Sequence, residues 1–100
     1  MGIDISHGVR GSRSATTIAN LGSQLAHVLP SREWNTLRPY FGGRVRCPVS
    51  IPPIEARTIG QLLLLAGRDP RMPGEWQKLA LILCDSAHRA YNAGENWEWS

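Results

Sequence analysis

The sequence predicts a mostly helical α+β domain of about four helices with a small two-stranded antiparallel sheet, and three observations carry that prediction. Two long stretches, Pro52-Pro53 to Ala66 and Pro73 to Ala93, each open on proline and then keep helical spacing. A third helical period runs from Ser14 to Leu29. Two short segments alternate with period two instead: Ile3 and Ile5 between Asp4 and Ser6, and Val45, Cys47, Val49 and Ile51 between polar neighbours and Pro48. At 100 residues, 42% apolar and 19% charged, the chain reads as one globular domain over 1–100.

Taken in order, the opening strand at Ile3–Ile5 is followed by turn chemistry at Gly8, Gly11 and Ser12. Ala15, Ile18, Ala19, Gly22, Leu25, Ala26 and Leu29 then mark one face of the first helix, with Ser12 or Ser14 as N-cap and Pro30 as terminator. Ser31 can cap a short second helix of about two turns, with Glu33 in its positive first turn and Trp34, Leu37 and Phe41 on one side. Pro39 and Gly42-Gly43 are expected to end it. Residues 44–51 form an edge strand, because Pro48 removes a donor, and the N-terminal strand is its simplest partner.

The third helix places Glu55 in its first turn and stops near Gly67. Ile59, Leu62, Leu63 and Ala66 form its face, and Leu64 and Leu65 widen that face nearly all round. The fourth carries Trp76, Leu79, Ala80, Leu83, Ala87, Ala90 and Tyr91 along one stripe, with Gly94 as its C-terminal cap. The short connection between them predicts an antiparallel pair. In the tail, Trp97 and Trp99 fall on one side of an extended chain and need either cover from this chain or a partner.

The formal charge is +3, and it is uneven: residues 1–46 carry six Arg against Asp4 and Glu33, while the rest carries five basic against six acidic residues. Ten of the eleven basic residues are Arg, which the codon usage of a GC-rich genome produces as readily as polyanion binding does. Cys47 and Cys84 form no C-x-x-C, and a reduced cytoplasmic setting is expected. The charged first twenty residues do not resemble a signal peptide, and the apolar run Leu62–Ala66 is far short of the ~20 residues that a membrane span needs. No membrane association is expected.

No constellation assembles a reactive centre. Cys84 and His88, one helical turn apart, make half of a zinc site without its other half; His7, His27 and Cys47 are in the chain, but their convergence cannot be read from it. Asp85, Ser86 and His88 contain the residue types of a hydrolase triad, yet residues 85 and 86 point about 100° apart on a helix, and the reading is a polar surface face. Gly8, Arg10, Gly11, Ser12 and Arg13 lead into a helix start and form the best anion candidate, without either phosphate-loop motif. Arg32, Arg38, Arg44 and Arg46 flank Trp34, Tyr40 and Phe41, a mixture that single-stranded nucleic acid sites use and that also arises when arginine stems cover a core.

Met1-Gly2 with Ile5-Ser6-His7-Gly8, Glu33-Trp34 after Leu29-Pro30-Ser31, Met72-Pro73-Gly74-Glu75-Trp76 and the closing Trp97-Glu98-Trp99-Ser100 together resemble a family of short actinobacterial proteins of unknown function. The resemblance implies a cytoplasmic protein of phage or mobile-element origin and brings no catalytic residue. The expected function is therefore a non-catalytic interaction or adaptor protein, binding a protein partner or forming a homodimer, with no cofactor and no metal. Leu64, Leu65, Leu81 and Ile82, with Trp97 and Trp99, are its expected contact residues. The alternative is a nucleic-acid-binding or regulatory protein using Arg10, Arg13, Arg32, Arg38, Arg44 and Arg46, and a small-molecule-binding enzyme comes third.

Overall fold

The computed structural model describes residues 2–43 and 45–100. Its elements in chain order are β1 (Gly2–Ile3), β2 (Arg13–Ser14), α1 (Ala15–Val28), α2 (Ser31–Phe41), β3 (Val49–Ile51), α3 (Pro53–Gly67), α4 (Gly74–Ala93) and β4 (Trp97–Trp99). The four helices and the α+β class follow the sequence pattern. Ser14 caps α1, its hydroxyl oxygen accepting the Thr17 N–H at 3.0 Å. Gly94 ends α4 in the left-handed region at φ 69°, and the Glu95 N–H reaches back to the Ala90 carbonyl at 2.9 Å, the six-residue closure that glycine permits.

The α3–α4 pair is antiparallel, and small residues set how closely it packs. A Cβ built on Gly60 would lie 3.0 Å from His88 Nε2 and 3.3 Å from the Ala87 Cβ; on Gly67 it would lie 2.8 Å from Leu81 Cδ2 and 3.5 Å from the Ala80 Cβ. Gly60 and Gly67 are two turns apart on α3, as Ala80 and Ala87 are on α4, so the helices meet along facing rows of small side chains. Ala56, Ile59, Leu63, Ala66, Leu79, Leu83 and Ala90 complete the buried faces. Arg71 pins the connection: Asp69 accepts from its backbone N–H and from its guanidinium, which also donates to the Val28 carbonyl at the end of α1 (2.8 Å).

The sheet differs from the expectation. Of the expected strand 44–51, Arg44 lies outside the described residues, and residues 45–51 do not pair with the N-terminal strand, because the tail lies between them. On one edge β4 pairs antiparallel with β3, matching Val49 with Trp99 and Ile51 with Trp97. On its other edge it meets the N-terminal segment: Asp4 and Ser100 exchange both backbone bonds at 2.7 and 2.8 Å, Ile5 bridges Trp99, and the Ser6 N–H reaches the Glu98 carbonyl. β1 pairs separately with β2. The alternation in Trp97-Glu98-Trp99 explains the arrangement, since a middle strand can turn both indoles inward while Glu98 stays exposed. Both tryptophans are fully buried, and Trp99 meets Trp97 and Phe41 edge-on at 5.3 Å between ring centroids.

Two further boundaries depart from the sequence reading. The strand is only Val49–Ile51, with Cys47 and Pro48 exposed ahead of it. The second helix runs about three turns, straight through Pro39, and Ser31 lies inside it, with Pro30 at the cap position and no side-chain cap. Pro39 is exposed and close to the end of α2, so a single missing backbone bond is tolerated there. Glycine matters once more at Gly22, where the Phe41 carbonyl abuts α1 and leaves no room for a Cβ.

Candidate functional site

The most developed concavity is an open groove of about 540 Å³ between the segment preceding α1 and the first turns of α4. Ser12, Arg13, Ser14 and Thr17 form one wall, Glu75 and Lys78 contribute charge, and Trp76, Leu79 and Ile82 supply apolar surface. A neighbouring depression of about 360 Å³ shares Lys78 and Ile82 and extends along α4 to His7, Gly8, Leu81, Asp85 and Ser86. Neither lining includes a residue of α3. Arg13 and Lys78 form no ion pair among the described residues, and the buried Nε of Arg13 has no hydrogen-bond partner there. The Ser12 hydroxyl donates to Asp4 Oδ1 at 2.6 Å, and Ser14 and Thr17 share one hydroxyl–hydroxyl bond at 2.8 Å.

A second polar cluster joins the chain ends. Ser6 Oγ lies 2.6 Å from His7 Nδ1, and His7 Nε2 lies 2.9 Å from Glu95 Oε1. The order serine–histidine–carboxylate is that of a hydrolase relay, but the surroundings are those of a clasp. Ser6 Oγ also accepts the Glu98 N–H at 3.0 Å, and Ser6 lines none of the cavities described here. Glu95 is exposed, whereas a triad carboxylate works from a buried position. His7 itself sits at φ 62°, in the left-handed region that non-glycine residues rarely occupy.

Ser86, expected on a polar surface face, is instead the one buried polar side chain among the described residues. Its hydroxyl donates to the Ser6 carbonyl at 2.5 Å and accepts the Trp97 indole N–H at 2.8 Å, tying α4 to both chain ends. Asp85 points elsewhere and pairs with Arg89 at 2.9 Å. Cys84 is buried beside half-buried His88, with Sγ 3.6 Å from Nδ1. Burial, reinforced by Asp85, pushes the Cys84 thiol up, so the pair does not present a thiolate nucleophile. Among the described residues no group of three His, Cys, Asp or Glu side chains is placed to hold a metal.

The expected contact residues separate in space. Trp97 and Trp99 dock within the chain and offer nothing to a partner. Leu64 is half-buried against the core, and Ile82 lies in the groove. Leu65 and Leu81 remain 56% and 38% exposed, and Ile54, which the sequence pattern did not single out, is 74% exposed. Of the arginines, Arg10, Arg32, Arg38 and Arg46 are exposed and Arg13 is half-buried; Arg44 lies outside the described residues. Arg13 lines the α4 groove, whereas Arg38 lines a separate depression between α1 and α2 with Trp34 and Phe41. Tyr40 turns to α3, donating to Glu55 at 2.8 Å.

A four-helix α+β domain with two small two-stranded sheets, whose N-terminal segment bridges the tail strand, with an open groove and no assembled reactive centre among the described residues, is the class that the geometry defines. The chain belongs to the family described as Domain of unknown function (DUF7739), which matches residues 7–100. No curated protein and no solved structure matches it. Among the described residues no helix is long and apolar enough to cross a membrane.

Proposed function

We propose that this is a small non-catalytic interaction protein that self-associates through the outer face of α3. The observation that carries the reading is the pair Ile54 and Leu65, two of the three large hydrophobic side chains left exposed among the described residues. They lie eleven residues apart, so they share one side of the helix, with Thr58 and Gln61 between them. That side is turned roughly 140° from the glycines that face α4. The stripe is also self-complementary. In an antiparallel two-fold pairing, Ile54 of one copy meets Leu65 of the other at both ends, and Thr58 meets Gln61 in the middle. Both cysteines are unpaired thiols, and exposed Cys47 suits the reducing cytoplasm in which we place the protein.

Light scattering at two concentrations tests the proposal, with Leu65→Glu as the variant. Leu65 is exposed and Glu is a good helix former, so the substitution leaves the fold intact while burying two like charges in the paired state. The expected result is a dimer that dissociates on dilution and a variant that stays monomeric. A wild-type chain that is monomeric at every concentration, or a variant that dimerises equally well, refutes the reading.

A further inference from the structure

We infer that the groove between the segment preceding α1 and the first turns of α4 binds a small organic oxyanion, a carboxylate or phosphate monoester carried on an apolar body. The inference is independent of the α3 surface. It rests on the combination of side chains that the fold brings to one cavity from positions 12–17 and 75–82.

Charge comes first. Arg13 and Lys78 face the groove without an ion-pair partner among the described residues, although eight acidic side chains are available in the chain. Buried donors in folded proteins are nearly always paired, yet the Arg13 Nε is buried with no acceptor. That Nε is shut away from solvent and out of a ligand's reach, so what Arg13 can offer an oxyanion at the mouth is its two Nη groups, as parallel N–H donors. The hydroxyl accounting adds a third donor. Ser14 and Thr17 have two hydroxyl protons and spend one between them, so one remains for a ligand. The Thr17 N–H is already taken by Ser14, and the helix start is not needed as the anion site.

The same lining limits what can bind. Glu75 shares the groove with Lys78, so the three charged side chains sum to one positive charge, which suits a single oxyanion group and opposes a polyphosphate or a nucleic-acid strand. Trp76, Leu79 and Ile82 provide apolar surface that inorganic phosphate would leave uncovered. A volume of about 540 Å³ lies in the range of about 300–1,000 Å³ typical of sites for organic ligands. Charge at one wall and apolar surface at the other define an amphipathic ligand.

An amide NMR titration with phenyl phosphate, benzoate, inorganic phosphate and phenol tests the inference. Phenyl phosphate or benzoate should give saturable shifts at residues 12–17, at residues 75–79 and at the Trp76 indole, and the tighter of the two identifies the preferred head group. Inorganic phosphate and phenol, each lacking one half of the recognition, should bind about tenfold more weakly, and Lys78→Ala and Arg13→Ala should each weaken the aryl anion by about tenfold. Lys78→Ala keeps the test decisive if Arg13→Ala disturbs the β1–β2 pairing, because Lys78 is exposed on a helix where alanine is well tolerated. No saturable shift with either aryl anion, shifts outside the groove, binding indifferent to both substitutions, or equal affinity for inorganic phosphate would overturn it.

Discussion

Replacing Gly22 by alanine should destabilise the protein, although the same change in an unobstructed helix interior stabilises by about 1 kcal/mol. Gly22 is buried in α1, and a Cβ there collides with the Phe41 carbonyl oxygen and falls 2.9 Å from its carbon and 3.3 Å from the Phe41 Cβ. The obstacle is backbone, so no rotamer change relieves it, and α2 must move away from α1. That movement also strains the edge-on contact of Phe41 with Trp99, which anchors the tail strand. Overpacking costs about 1–3 kcal/mol, and an immovable neighbour places this site near the top of that range. Subtracting the propensity gain leaves a net loss of about 2 kcal/mol, a drop in Tm of about 10 °C for a domain of this size. Urea denaturation followed by tryptophan fluorescence and by circular dichroism measures it. Gly74→Ala is the control: it stands at the start of α4 with nothing within 4 Å of its Cβ, and should gain about 0.4–1 kcal/mol. A Gly22→Ala protein as stable as the wild type, or stabilised like Gly74→Ala, refutes the packing argument.

Three other outcomes are expected. Ser86→Ala strands a buried indole N–H and the Ser6 carbonyl together, so unfolding should become easier by about 2–4 kcal/mol; a loss below about 1 kcal/mol would mean that the network contributes little. Burial, then the hydrogen bond to Glu55 and that carboxylate's charge, push Tyr40 from its ordinary 10.0 up to about 12. The fold therefore holds the phenol proton, and the stabilisation is fully present below pH 10 and lost as pH rises through about 12. Phenolate absorbance in a Tyr91→Phe background should show that late midpoint, and Glu55→Gln should lower it; an ordinary midpoint in the folded parent would count against the contact. Hydrogen bonds from the Arg71 side chain and backbone hold Asp69 down from 3.8 to about 2, so its contribution is present above pH 3.8 and lost as pH falls through about 2. Carboxyl NMR titration should show Asp69 moving back toward the ordinary carboxylate range in Arg71→Ala, and an unmoved Asp69 would remove Arg71 as the cause.

The helices were legible because their signals are local. Pro53, Gly67, Ser14 and Gly94 act within a turn of where they stand, and the small-residue rows of α3 and α4 repeat at helical spacing. The sheet was legible only in part. Nothing near residues 4 and 49 announces that residue 99 will lie between them, because strand order is fixed by long-range pairing. The sequence hides the burial of Ser86 for the same reason: its partners, Ser6 and Trp97, come from the two ends of the chain. The widened apolar face of α3 is covered only in part, since Leu64 packs against the core while Leu65 stays exposed. The local cue to the groove is the segment with Ser12 and Arg13, the best anion candidate in the sequence, whereas nothing near Trp76, Lys78 and Ile82 announces that α4 will lie beside the start of α1.

Burial of the tail bears directly on where function can reside. Trp97 and Trp99 are the two largest fully buried side chains, and each removes about 150–250 Å² from water. At about 25 cal/mol per Å² that is an upper bound of about 7–12 kcal/mol for the pair, comparable with the whole stability of a small domain. Residues that hold the fold to this extent are not free to anchor a partner. The clasp of Ser6, His7 and Glu95 serves the same end, because its bonds keep the N-terminal segment on the exposed edge of β4. Two surfaces that the fold leaves uncommitted are the outer stripe of α3 and the groove of α4, which share no residue. The first has an apolar side chain at each end and uncharged Thr58 and Gln61 between, an order that is self-complementary, as a surface for a second copy would be. The second carries cations without an ion-pair partner among the described residues, beside an indole, the chemistry of a small anionic ligand. Because the two share no residue, a substitution in one leaves the contact residues of the other in place, and their tests stand or fall separately.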